Sequence, residues 1–207
     1  MTEPHPDHLQ GQPEGQPRSP AHSLWVKVVA AVVAVALVFG AGFVAFTVLT
    51  GEPERDISLP DTVAGMSRDA ALEQRASGEL DTAAQQFASL FDGQARAQLG
   101  IYDQADEERG PTGPVNVVGV DIEGETDPQQ LLDQAASTAE RNGLQVERVG
   151  AGEGAQGLCA SQDTGTQLCI WATTTSFGQV FTTTEGWTVD QLRSLMTAVR
   201  GDVETVD

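Results

Sequence analysis

Apolar and polar positions divide the chain into three stretches. From Val28 to Leu49 there are 22 consecutive residues without a charge, VVAAVVAVALVFGAGFVAFTVL. At a rise of about 1.5 Å per residue this run spans roughly 33 Å as a helix, enough for a hydrocarbon core of about 30 Å. Trp25 and Lys27 flank it on one side as interfacial residues do, and Gly51, Glu52 and Pro53 close it on the other. The run is too long for the apolar part of a cleaved signal peptide and has no Ala-x-Ala exit. No cysteine follows it for lipid attachment. Before the run, residues 2–24 are rich in Pro, Gln and Gly and have little to bury, so ordering them is not offset. The expected domains are a disordered cytoplasmic tail (1–24), a transmembrane helix (25–50), a linker (51–67) and an extracytoplasmic α+β domain (68–205). Arg18 and Lys27 precede the run and Arg55 follows it among acids, which places the N-terminus inside.

In the last stretch the period of the apolar positions alternates between helical and extended. Leu72, Ala76, Leu80, Ala83, Phe87 and Leu90 recur at three- and four-residue steps and predict a helix over 68–91, with a break available at Gly78. Strands are expected over 94–104 and 115–123, the second rich in valine. Asp127 as N-cap, Pro128 at the first helical position and Asn142-Gly143 at the stop delimit the next helix. A strand over 144–149 follows. Three more are expected at 157–162, 166–175 and 179–184, turning at Asp163-Thr164-Gly165 and at Phe177-Gly178. A final helix starts at the Thr188…Gln191 capping box, with Trp187 stapling onto Leu192, and stops at Gly201. The expected fold class is therefore α+β: one transmembrane helix, then a two-layer sandwich of mostly antiparallel sheet (5–6 strands) with about three helices, these on one face.

Charge narrows the partners. The chain carries 30 acidic and 11 basic residues, a formal charge of −19. Nucleic acid is excluded, since a basic face is needed to displace phosphate counterions. All three histidines (His5, His8, His22) precede the apolar run, and the single lysine is Lys27. The outer domain therefore lacks Ser-His-Asp, Cys-His and Ser-Lys machinery, His-ligated zinc and Schiff-base lysines. No catalytic, cofactor or metal residue is assigned. Asp163-Thr164-Gly165 spells an aspartic-protease triplet, but between Gln162 and Thr166 it reads as a turn. Asp121, Glu123, Glu125 and Asp127 alternate like calcium ligands, yet Thr126 and Leu132 stand where an EF-hand needs Gly and Glu. The spaced small residues Ala36, Gly40, Ala41 and Ala45 suit helix pairing in a membrane as well as ordinary composition.

Cys159 and Cys169 lie equally far from Thr164. If residues 163–165 form a three-residue loop, Gln162 faces Thr166 and the two cysteines face each other, about 4.5–5.5 Å apart at Cα, within disulfide range. A structural bridge implies an oxidising compartment. Free thiols and a redox switch are the alternatives, although neither C-x-x-C spacing nor a helix start is present.

The stretch Cys169-Ile170-Trp171-Ala172-Thr173-Thr174-Thr175-Ser176-Phe177-Gly178 resembles a segment of uncharacterised actinobacterial single-pass membrane proteins, in which a Cys-Ala-Trp-Ala-Asp-x-Thr run leads towards a final helix. Leu59-Pro60-Asp61-Thr62-Val63-Ala64-Gly65-Met66 resembles their Leu-Pro-x-x-x-Ala-Gly opening. Ile170 and Thr173 depart from the pattern. The resemblance implies an acidic exported domain and no known activity. The expected function is a membrane-anchored extracytoplasmic interaction or accessory domain, bound to an envelope protein or polymer. A carboxylate-dependent envelope hydrolase and a single-span signal relay are the alternatives.

Overall fold

The computed structural model describes residues 55–89, 91, 95–162 and 165–206. Ten strands and four helices are formed among them: β1 (Arg55–Ile57), β2 (Thr62–Val63), β3 (Met66–Arg68), α1 (Ala70–Arg75), α2 (Ser77–Ser89), β4 (Ala95–Gln104), β5 (Gly113–Ile122), α3 (Pro128–Arg141), β6 (Gln145–Gly150), β7 (Gln156–Ser161), β8 (Gln167–Ala172), β9 (Ser176–Thr182), α4 (Val189–Val203) and β10 (Glu204–Val206).

Local chemistry places most of these. Asp127 accepts from the backbone N–H of Gln129 and Gln130, with Pro128 behind it, and starts α3. At α4 the Thr188 hydroxyl accepts from Gln191 N, while the Gln191 side chain accepts from Thr188 N, a complete capping box. Asp69 caps α1 through Leu72 N.

Eight strands form one sheet in the order β2-β3-β4-β5-β9-β8-β7-β6, every neighbouring pair antiparallel. β1 and β10 form a separate antiparallel pair. Alternate residues of the central strands feed two cores. Val118, Val120, Leu158, Ala160, Ile170, Phe177 and Phe181 pack with Ala83 of α2 and with Leu131, Leu132, Ala135 and Ala139 of α3. Val115, Val117, Cys159, Cys169, Trp171 and Val180 pack with Leu192, Leu195, Met196, Val199 and Val203 of α4.

The expected architecture is corrected accordingly. The sandwich of two layers and 5–6 strands is instead three layers, with helices on both faces of an eight-stranded sheet. The reason is double-sided burial: β9 is buried at every position and β8 at all but its first, so neither face is left to solvent. No helix among the described residues is long and apolar enough to cross a membrane, and the run 28–49 expected to span lies outside the described residues, as does the 1–24 tail. Residues 51–67 were expected as a linker, but from Arg55 onward they hold β1, β2 and the start of β3. Short strands of two and three residues leave no periodic signal.

Three local differences have identifiable causes. The helix expected over 68–91 breaks into α1 and α2 at Ala76, which closes α1 by donating to Leu72 O and Glu73 O. Phe177-Gly178 lies inside β9 rather than in a turn, because Gly178 faces Trp171 across the strand pair and leaves room for its ring. The chain reverses earlier, at 173–175, where the Thr173 hydroxyl accepts from the N–H of Thr175 and Ser176. Gly201 falls within α4, which continues to Val203.

The Cys159–Cys169 disulfide joins directly opposed residues of β7 and β8, 4.1 Å apart at Cα. Both cysteines are buried beneath α4. Gln162 N donates to Thr166 O, and Gly165, at φ +97°, sits in the region that favours glycine. Asp163 and Thr164 lie outside the described residues. Replacing both cysteines with alanine should cost about 2–3 kcal/mol, the loop-closure value for ten residues of separation. Urea unfolding of the double variant against the oxidised protein measures it.

Candidate functional site

Two places on the domain gather chemistry, at opposite ends of α4. The first is the corner where the described chain begins. Glu204, with a side chain only 3 % exposed, follows the last turn of α4. Its Oε2 accepts from Arg200 Nε at 2.6 Å and from an Arg55 guanidinium nitrogen at 3.3 Å. Its Oε1 accepts from the Ser176 hydroxyl. The other Arg200 nitrogens donate to Ala151 O at 2.8 Å and Glu153 O at 3.0 Å. One carboxylate thus joins β1, α4, β10 and the start of β9. A helix stopping at Gly201, as the sequence suggests, hides the i, i+4 pairing of Arg200 with Glu204, and Arg55 lies 149 positions from Glu204, beyond any local signal.

Next to Ser176 in the sheet is Asp121. Its Oδ1 accepts from Ile57 N at 2.5 Å and its Oδ2 from Arg96 Nε at 3.4 Å. Gln98 Nε2 donates to Ile57 O, so both backbone groups of this β1 residue are gripped by side chains. β1 lies close over β5: a Cβ on Gly119 would fall 2.3 Å from Ile57 Cγ2. Burial is the main cause pushing the Asp121 carboxyl above its ordinary range, opposed by the Ile57 hydrogen bond and Arg96. Three buried polar atoms of this corner have no partner among the described residues: Arg55 Nε, Thr175 Oγ1 and Glu125 Oε2. Thr126 N donates to Thr174 O, which brings the Glu125 connection alongside the β8–β9 turn.

The alternating acids of the sequence are thereby dispersed into different roles. Asp121 holds β1, Asp127 caps α3, Glu123 is exposed and Glu125 turns inward. Among the described residues no group of three or more His, Cys, Asp or Glu is placed to hold a metal ion. His5, His8, His22 and the Asp163 triplet position lie outside the described residues.

The second place is a groove of about 450 Å³ along the N-terminal half of α4, lined by Glu108, Arg109, Asp190, Gln191, Ser194, Leu195 and Ala198. One wall is the β4–β5 connection and the other is the helix. The connection is held firmly. Arg109 pairs with Asp106 at 3.2 Å and donates to Ala64 O, and the Trp187 ring lies flush against Gly110, where a Cβ would be 2.6 Å away. Ala64 and Gly65 form the two-residue β2–β3 turn with φ +50° and +75°. Positive φ at both positions is what such a hairpin needs, and it is uncommon for alanine. Asp202 of α4 accepts from Ala64 N at 2.6 Å and pins it. The Leu59–Met66 segment singled out in the sequence therefore becomes this hairpin. Nothing in the sequence pattern announced the groove, because its two walls are some eighty positions apart.

Tyr102 lies behind the same hairpin, fully buried, its hydroxyl donating to Pro60 O at 2.8 Å. Desolvation pushes its pKa from 10.0 to about 12, the nearby Arg68 pulling the other way. The unfolded chain loses this proton near pH 10 and the folded chain near 12. The native state therefore holds the extra proton between those values, and stability falls as pH rises through that window. Tyr102 is the only tyrosine, so phenolate absorbance at 295 nm reports it alone. Its midpoint is expected about two units above that of the urea-unfolded chain; coincident midpoints would refute the burial argument.

No protein-family model, no curated protein and no solved structure matches the chain.

Proposed function

We propose that the chain is a membrane-anchored, extracytoplasmic interaction or accessory domain, tethered through the apolar run 28–49 with its N-terminus inside, and of the kind found in the actinobacterial proteins its Cys169–Gly178 stretch resembles. The observation that supports this reading is where the first described strand, β1, sits relative to the groove along α4. Arg55 stands six positions after Leu49, so β1 lies at most about 21 Å of extended chain from the end of the apolar run. β1 is then locked by Glu204, Asp121 and Gln98. The groove begins at Asp190, fourteen positions before Glu204, roughly 21 Å away along a helix. On this reading a tether entering at β1, beside the C-terminal end of α4, leaves the groove free to engage an envelope protein or polymer. The buried cystine supports an oxidising compartment. Glu204 and Asp121 at the corner are engaged in holding strands, which favours a binding role over paired-carboxylate chemistry there.

The test is topological. Alkaline phosphatase fused after Asp207 is expected to be active in whole cells, and a green fluorescent protein fusion at the same place dark. The reverse pattern, or two freely alkylated thiols in native membranes, overturns the reading.

A further inference from the structure

The groove beside α4 has an apolar floor and acidic edges, and its charges are unevenly spent. Leu195 and Ala198 form the floor, with Glu108 on one rim and Asp190 on the other. Arg109, which also lines the groove, pairs with Asp106 with both side chains about half exposed, and donates to Ala64 O. Glu108 forms no ion pair among the described residues, although its backbone N–H is held by Asp106. Among the described residues Asp190 pairs with Arg193 alone, and both side chains are open to water at 82 % and 44 % exposure, so that pair is weak and readily exchanged. The connection forming the outer wall also carries Asp106 and Glu107. At the helix start, the Thr188–Gln191 capping box already occupies donors that would otherwise favour an anion.

An occupant matching these features needs an aliphatic stem to lie over Leu195 and Ala198 and a cationic head to sit between two carboxylates. Lysine and arginine side chains have that build. The rest of the domain acts in the same direction: residues 51–207 carry 27 acids against 9 bases, a field that draws cationic partners and repels anionic ones. We infer that the α4 groove is a docking site for a basic segment of a partner protein, one of whose lysine or arginine side chains inserts between Glu108 and Asp190. This rests on the interaction reading and names the chemistry of the partner.

The test uses the full chain in detergent, with a fluorescent six-residue oligolysine as probe and oligoglutamate as control. Saturable binding of oligolysine alone is expected. Glu108→Gln and Asp190→Asn should each weaken it about three- to fivefold, as a partly exposed charge pair does. Ala198→Trp fills the groove without altering charge and should abolish it. Glu147→Gln, an exposed acid on β6, should leave it unchanged. Absence of saturable binding, indifference to Ala198→Trp, or equal weakening by Glu147→Gln would each overturn the inference. If the Ala198→Trp chain still captures a saturable envelope partner that the wild type captures, the groove assignment falls while the interaction reading stands. If oligolysine seats in the groove but the wild type captures no envelope partner, the reverse holds.

Discussion

Replacing Gly178 with alanine is expected to cost about 3 kcal/mol or more, at the upper end of overpacking penalties. A Cβ at this position would lie 1.9 Å from Cζ2 of Trp171 and within 2.3 Å of two further ring atoms. The ring has nowhere to go, since Trp171 is wholly buried and packed in the core under Met196 and Val199 of α4. Moving it means displacing the helix. Trp171→Phe in the same background removes the clashing ring atoms and should recover part of the loss, a coupling that a double-mutant cycle isolates. Gly78 is the matched control. It lies in α2 with nothing within 4 Å of an added Cβ, so Gly78→Ala should stabilise by up to about 1 kcal/mol. Denaturant midpoints of the two variants must move in opposite directions; a Gly178→Ala chain as stable as wild type would refute the packing described for β8 and β9.

Arg200→Met is expected to cost about 3–5 kcal/mol, the range for removing one member of a buried ion pair. Arg200 is 6 % exposed and Glu204's side chain 3 %. Without the guanidinium, Glu204 keeps only Arg55 and Ser176, while the carbonyls of Ala151 and Glu153 lose their donors. An unpaired buried acceptor costs more than the lost hydrogen bond itself. Adding Glu204→Leu removes the stranded charge, so the double variant should be less destabilised than the two single effects combined. Arg200→Lys should rescue incompletely, because an ammonium cannot make the three divergent contacts of the planar fork. The measurement is denaturant unfolding of the wild type, the Arg200→Met and Glu204→Leu single variants, their double variant and Arg200→Lys. A loss below about 1 kcal/mol for Arg200→Met would mean that the corner does not lock β1.

Much of the domain was legible because its determinants are local. The Asp127-Pro128 and Thr188…Gln191 starts are carried by side chains bonding backbone two or three residues away. The valine-rich run of β5 and the hairpin bearing the cystine are likewise short-range features. Misreadings arose where one residue type serves two purposes. Gly178 reads as a turn residue but is a space for an indole. Thr173 reads as a strand residue, yet its hydroxyl builds the turn.

From sequence alone followed the charge-free run, the strong acidity, the facing of Cys159 and Cys169, and the positions of most strands and helices. Tertiary structure alone decided that both sheet faces are covered, that residues from Arg55 onward join the domain, that Glu204 gathers Arg55 and Arg200, and that a groove opens beside α4. The division has a physical cause. Periodicity and capping act over a few residues and are written in adjacent letters. Ion-pair partners 149 positions apart and the burial of a second sheet face depend on which surfaces the folded chain brings together, and no local spacing encodes that.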